Sequence, residues 1–319
     1  MSSTLNHQAA PASQKDGLLL LDKVAGITSH DAVERARRVT RIKKIGHSGT
    51  LDPMATGLLI LCVGKATRLQ AFLMKMEKTY EGTIQFGWAT NTYDAQGEQV
   101  GDRTEVDLSS FDLEGSIGEF QGEIQQIPPA FSAKKVQGVR SYELARRGAA
   151  TTLEAKTVRI VEFRILRQSG SRADFRITCT SGTYVRSVAH DLGRVLGVGA
   201  HLSSLRRTAI GGFEVAQALS VDQLSQMDPR EVLEGPHFQT MNRAGLPFQR
   251  IMIDRSQEAK LLRGQSVIVK PSGDSPSVGE LISVVNVDQE LLAISEVVDV
   301  LRADGGPVVL QPKVVLRGE

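Results

Sequence analysis

The chain has 319 residues, 41% of them hydrophobic, and a net charge of only +2. That length allows two domains of ordinary size. The near-balanced charge excludes a global polycation, so any nucleic-acid site must come from local clustering of basic side chains.

Residues 1–16 are polar and small and lack a basic start followed by an apolar core, so they read as a disordered tail rather than a secretory signal. Leu18–Leu21 is too short a run to span a membrane, and a cytoplasmic protein is expected. GLLLLDK (17–23) predicts a buried strand ending in a turn. Thr28 then caps a helix running to about Val39. Residues 34–44 carry Arg35, Arg37, Arg38, Arg41, Lys43 and Lys44 against Glu34. A basic helix end is often only a solvated face. This one leads into an unusual loop, which makes it a candidate phosphate-contacting surface.

That loop is GHSGTLDPMATGLL (46–59). Gly46 and Gly49 permit backbone angles that other residues resist. Pro53 fixes the dihedral after Asp52 and biases Asp52 toward an extended conformation. One carboxylate is thereby presented from a fixed position beside an apolar run, as a catalytic group requires. The same Asp-Pro pair also fits a helix start, with Asp52 as N-cap, and the spacing alone leaves both readings open.

Residues 57–64 predict a core strand, about 65–76 a helix, and Tyr80 opens an alternating strand. An acidic amphipathic helix is expected near 108–120. Residues 124–150 hold Lys134, Lys135, Arg140, Arg146 and Arg147 against Glu143, with Phe131 and Tyr142 interleaved. This segment reads either as a basic loop and helix that closes over a nucleic acid or as an ordinary surface hairpin. Strands are predicted at 158–166 and 172–180 and a helix at 185–196. A polar break near 235–247 precedes a short helix (256–262) and strands at 266–270, 281–287, 291–298 and 308–316. The mixture predicts an α+β fold with a small C-terminal β-rich module. Cys62 and Cys179 sit in apolar or strand-like segments without CxxC or zinc spacing, and the six histidines form no HxxxH pattern. No metal is expected.

Four blocks occur in order: the 46–59 loop, Lys78-Thr79-Tyr80, SGTYVR (181–186), and His201-Leu202 through Leu205-Arg206-Arg207. Together they resemble the pseudouridine synthases that act on the T arm of transfer RNA, and the related enzyme subunit of guide-RNA pseudouridylation particles. The resemblance is strong over 17–215 and weak beyond. FSAKK and SYELARRG within 124–150 resemble the stand-alone enzymes. LLRGQSV (261–267) resembles the start of the small PUA-like RNA-binding barrel often appended to such synthases. The implied organisation is a tail (1–16), a catalytic domain (17–245) with an RNA-binding insertion at 124–150, and a PUA-like domain (246–319). The implied fold is a mixed, mainly antiparallel sheet with flanking helices.

The resemblance implies isomerisation of uridine 55 in the tRNA T loop; the alternatives are the catalytic subunit of a guide-RNA particle and a non-catalytic RNA-folding protein. That reaction involves no redox change and no net hydrolysis, so no cofactor is expected. No obligatory protein partner is expected, and the absence of a long amphipathic or heptad stretch predicts a monomer. The resemblance assigns Asp52 as the catalytic carboxylate. A carboxylate can add to the sugar or the base, or take a proton during elimination, and the residues do not choose among these routes. Removing a carboxylate from water raises its pKa, so a nearby cation is required to keep it ionised. The resemblance makes Arg186 that cation and Asp94 the acid that orients it. Tyr80 is expected to stack on the target base, Leu205 to form the opposite wall, and Tyr184 to line the pocket. His47 is expected to contact the rearranged RNA loop. Lys23, Arg206 and Arg207, with Arg41, Lys43, Lys44, Lys134, Lys135, Arg146 and Arg147, are the expected backbone contacts.

Overall fold

The computed structural model describes residues 15–129, 135–136, 139–140, 154–301 and 306–317. The expected tail up to residue 14, together with Lys134, Arg146 and Arg147, lies outside the described residues. Within the basic insertion, the two-residue strands Lys135–Val136 and Val139–Arg140 pair with each other.

The larger sheet is mixed. Its main path runs Leu219–Ser220, Gly17–Lys23, Thr56–Val63, Ala200–Ile210, Lys78–Phe86, Arg172–Cys179, Lys156–Ser169 and Gly122–Gln126. Leu18 to Leu21 are all fully buried. A continuous apolar run suits a strand covered on both faces. Leu19 and Leu21 pack beneath the helix Ser29–Thr40. Leu18 and Leu20 face the other way, toward Leu69, Leu73 and the C-terminal strands.

Residues 200–210 show no strand signal in the sequence, yet this segment is the central strand. It pairs antiparallel with Lys78–Phe86, and parallel with Thr56–Val63 through Arg206↔Thr56 and Arg207↔Gly57. Ser203-Ser204 and Arg206-Arg207 break its apolar alternation, which hides it. Gly57 makes the parallel approach possible. Its φ is +100°, and a Cβ there would lie 2.2 Å from the Arg207 carbonyl oxygen.

Two predicted helices are shorter than expected. Residues 64–76 form a 3₁₀ turn (Gly64–Leu69) and a short α-helix (Gln70–Lys75). Here Asp16 takes the Lys65 N–H and the Thr67 hydroxyl bonds back to Gly64 O. Likewise Asp107 and Asp112 each cap their own turn, dividing 108–120 into Leu108–Ser110 and Leu113–Gly118.

The second sheet is ordered Gln249–Met252, Leu281–Val285, Leu291–Val300, Val308–Val315, Val267–Val269. Its first strand was not anticipated, because QRIM offers only two apolar residues. Val284, Leu292, Val297 and Leu310 are among its own buried core. Val285, Leu291, Ile294 and Leu316 instead join the core beneath Leu18 and Leu58.

Candidate active site

The Asp52 loop is held by its backbone. Ala55 N donates to Asp52 O at 3.1 Å, closing a turn that runs directly into the strand Thr56–Val63. Asp52 is therefore not a helix cap. Ser29 Oγ bonds both Leu51 O (3.2 Å) and Leu51 N (2.9 Å), tying the loop to the first turn of the helix Ser29–Thr40. Pro53 O accepts from Gly26 N at 2.9 Å, and Ser48 N donates to Ile60 O at 2.9 Å. Leu51 and Ala55 anchor in the core.

Two of the expected phosphate contacts, Lys23 and Arg207, also hold this loop and its strand. Lys23 is 0% exposed. Its Nζ donates to Val24 O (3.0 Å), Ile27 O (2.8 Å) and Pro53 O (3.3 Å). Burial lowers its pKa to about 8, opposed in part by the Asp52 charge. Arg207 is 1% exposed and donates from Nε to Leu58 O (2.7 Å) and from Nη2 to Gly49 O (3.1 Å). Lys23 spends all three of its donors on backbone carbonyls, whereas Arg207 spends two of its five there and still lines the cavity beside Tyr80. Arg206 is half-exposed but forms a two-pronged pair with Asp22, at 3.0 and 2.6 Å. Arg41, Lys43 and Lys44 are exposed.

Arg186 enters from the helix Val185–Val195. Gln126 fixes the preceding turn: Tyr184 N donates to its Oε1 at 2.7 Å, and its Nε2 donates to Tyr184 O at 3.0 Å. The Arg186 side chain is 5% exposed. Its Nε lies 2.8 Å from Asp52 Oδ2, and Nη2 donates to Oδ1 at 3.3 Å. Nη1 donates to Thr92 O at 2.9 Å and lies 3.4 Å from Asp94 Oδ2. Asp94 is buried, and its Oδ1 accepts from Thr92 Oγ1 (2.6 Å) and Gln96 N (3.0 Å). The guanidinium thus bridges two carboxylates of different exposure. Asp94 is enclosed and saturated, whereas the Asp52 side chain remains 37% exposed.

Asp52 opens onto a cavity of about 670 Å³ whose lining includes Tyr80, Tyr184, Arg186, Leu205, Lys78 and Arg207. Tyr80 is 9% exposed, and burial raises its hydroxyl pKa. Its register partner on the central strand is Arg207, while Leu205 pairs with Gly82. The period-2 geometry of both strands puts Tyr80 and Leu205 on the cavity face.

His47 is not among the cavity-lining residues. It sits on the short strand Ile45–His47, where its Nδ1 accepts from Gly49 N at 3.3 Å, and burial lowers its pKa. The cavity therefore brings together Asp52, Tyr80, Tyr184, Arg186 and Leu205, with Asp94 one layer behind Arg186.

Ser29, Thr92 and Gln126 are not legible as site residues, because each acts through one or two hydrogen bonds to a neighbouring segment and carries no motif. Lys78 has a clearer signal, lying two positions before Tyr80 on one strand face. Its Nζ donates to Met74 O (2.6 Å) and Met76 O (2.5 Å), and burial with the nearby Arg207 lowers its pKa to about 8.

Among the described residues no helix is long and apolar enough to cross a membrane. Residues 37–185 match the TruB family pseudouridylate synthase N-terminal domain, and 186–234 match the tRNA pseudouridylate synthase B C-terminal domain. A tRNA pseudouridine synthase B from Solibacter usitatus (strain Ellin6076) is 43% identical over 89% of this chain and 96% of its own. One from Thermobifida fusca (strain YX) is 40% identical over 88% and 94%. Among solved structures, a chain of a Cbf5-Nop10-Gar1 complex superposes with a TM-score of 0.72 at 26% identity, covering 94% of this chain and 85% of that one. With adjoining family models matched and a relative this similar along nearly the whole length, the chain belongs to the TruB family of pseudouridine synthases.

Proposed function

We propose that this enzyme converts uridine 55 in the T loop of tRNA to pseudouridine, with Asp52 as the carboxylate that acts on the nucleotide. The observation that carries the reading is the Asp52–Arg186 pair. One carboxylate is held at both oxygens by a buried guanidinium and still faces an open cavity walled by Tyr80 and Leu205. The relatives' name, tRNA pseudouridine synthase B, supports the choice of RNA.

In the reaction the N1–C1′ bond breaks, the base turns, and C5 bonds to C1′. C5 loses a proton and N1 gains one, so no oxidant and no net water is consumed. Arg186 holds both Asp52 oxygens in place, because a guanidinium stays charged when buried and presents a planar fork to a carboxylate. The base must leave its stack to reach Asp52, and the Tyr80 ring with Leu205 offsets the loss of stacking. Neutral Tyr80 also offers a hydroxyl that can relay a proton. Arg41, Lys43 and Lys44, with Lys134, Lys135, Arg146 and Arg147, serve as phosphate contacts, and residues 246–319 as a second RNA-binding module.

The test is tritium release from tRNA transcript labelled at uridine C5, with no guide RNA present. Release is expected from wild type, and none when position 55 is changed to cytidine. Asp52→Asn should abolish release while keeping tRNA affinity within about tenfold, or 1.4 kcal/mol. Retention of more than about a tenth of the wild-type rate would remove Asp52 from its central place. The likeness to Cbf5 favours a second reading, the catalytic subunit of a guide-RNA particle. Release that requires a guide RNA would establish it.

A further inference from the structure

Residues 90–96 grip Arg186 on both sides of Tyr93. Thr92 O and Asp94 Oδ2 both meet Nη1. Tyr93 itself has φ +65°, a left-handed conformation that a bulky residue seldom adopts. Its backbone is tied to the central strand, with Leu202 N donating to Tyr93 O at 2.9 Å and Ala95 N to Leu202 O at 3.0 Å. Its ring stacks flat on His190, with centroids 3.8 Å apart and planes 14° from parallel. His190 lies on the helix that carries Arg186, four residues further on, and so on the same face one turn later.

The loop therefore touches two successive turns of one helix, through Arg186 and through His190. Among the described residues His190 Nδ1 has no hydrogen-bond partner, so the ring face is what engages the loop. Burial lowers the imidazole pKa, opposed in part by the Asp191 charge. A turn that needed only a left-handed residue would be better served by glycine. The tyrosine supplies the ring.

We propose that Tyr93 and His190 form a positioning stack, which sets the 90–96 loop against the helix and so aims the Arg186 guanidinium at Asp52. The proposal rests on the reading of Asp52 and Arg186 as the reacting site. Neither ring lines the cavity, so both act through Arg186.

The test uses the full chain with four variants: Tyr93→Gly, Tyr93→Phe, His190→Ala and His190→Phe. Tyr93→Gly relieves the backbone and removes only the ring, so it guards against a simple failure to fold. Tyr93→Gly and His190→Ala should slow single-turnover tritium release at saturating tRNA by about ten- to a hundredfold, with tRNA affinity within about twofold. The two Phe variants keep a flat ring and should stay within about threefold of wild type.

A second readout is the Nε–H resonance of Arg186 in ¹⁵N-arginine-labelled protein, identified by its loss in Arg186→Lys. It should be shifted and slowly exchanging in wild type and the Phe variants, and averaged in the other two. Wild-type rates and an unchanged resonance in Tyr93→Gly and His190→Ala would overturn the proposal. So would rates that fall only with thermal stability across all four variants. Absence of tritium release from wild type would reject the functional reading instead, and the Arg186 resonance would still decide the stack.

Discussion

At the level of single residues, the site is governed by how its cations spend their donors. Arg186 engages Asp52, Asp94 and Thr92 O at once. A lysine ammonium is a single point and cannot span these partners. Removing each bond to a charged group costs about 1.5–3 kcal/mol. Arg186→Lys should therefore lower the single-turnover rate by at least about a hundredfold, or 2.7 kcal/mol. Near-normal turnover at neutral pH would show that another cation holds Asp52. Lys23 makes a separate prediction. Its folded pKa of about 8 lies below the ordinary 10.5, so between those values the unfolded chain binds more protons than the folded one. Stability from this group therefore rises with pH across that window and is flat below it. Urea unfolding of wild type and Lys23→Met at pH 7.5 and pH 10 should show the difference moving in favour of wild type at the higher pH. A difference independent of pH would mean that Lys23 titrates as an exposed amine.

Among the elements, the contact between Thr56–Val63 and the central strand aligns the Asp52 loop with the Tyr80 and Leu205 walls. Gly57 lies at that contact, opposite Arg207. Gly57→Ala adds a Cβ that would meet the Arg207 carbonyl oxygen at 2.2 Å, on a backbone at φ +100°. Sheet backbone cannot yield as a flexible side chain can, so the substitution should destabilise the fold by about 2–4 kcal/mol. Thermal unfolding checks this, and an unchanged midpoint would show that the two strands separate freely.

Over the molecule as a whole, the net charge of +2 leaves RNA binding to local basic surfaces. Replacing Lys134, Lys135, Arg146 and Arg147 by Gln should weaken tRNA affinity. It should also flatten the log–log dependence of affinity on salt, by about 0.7–0.9 in slope for each phosphate no longer neutralised. The single-turnover rate at saturating RNA should change little, because these residues are proposed to touch phosphates. An unchanged slope would make 124–150 an ordinary surface hairpin. A collapsed rate at normal affinity would make it a lid that completes the site.

The parts whose chemistry is local can be read from the chain alone. The apolar run 18–21 must be buried, Thr28 must cap, and four ordered blocks carry Asp52, Tyr80, Arg186 and Leu205. Which charges serve the loop and which face solvent is settled only by the fold. Lys23 and Arg207 read as surface cations, because nothing near them in the chain shows the carbonyls of Pro53, Leu58 and Gly49 that will surround them. The same holds for the strand 200–210, whose arginines disguise it until Thr56–Val63 and Lys78–Phe86 close on its two edges. A hydrogen bond between segments far apart in sequence leaves no periodicity in either, so these partners become visible only once the chain has folded.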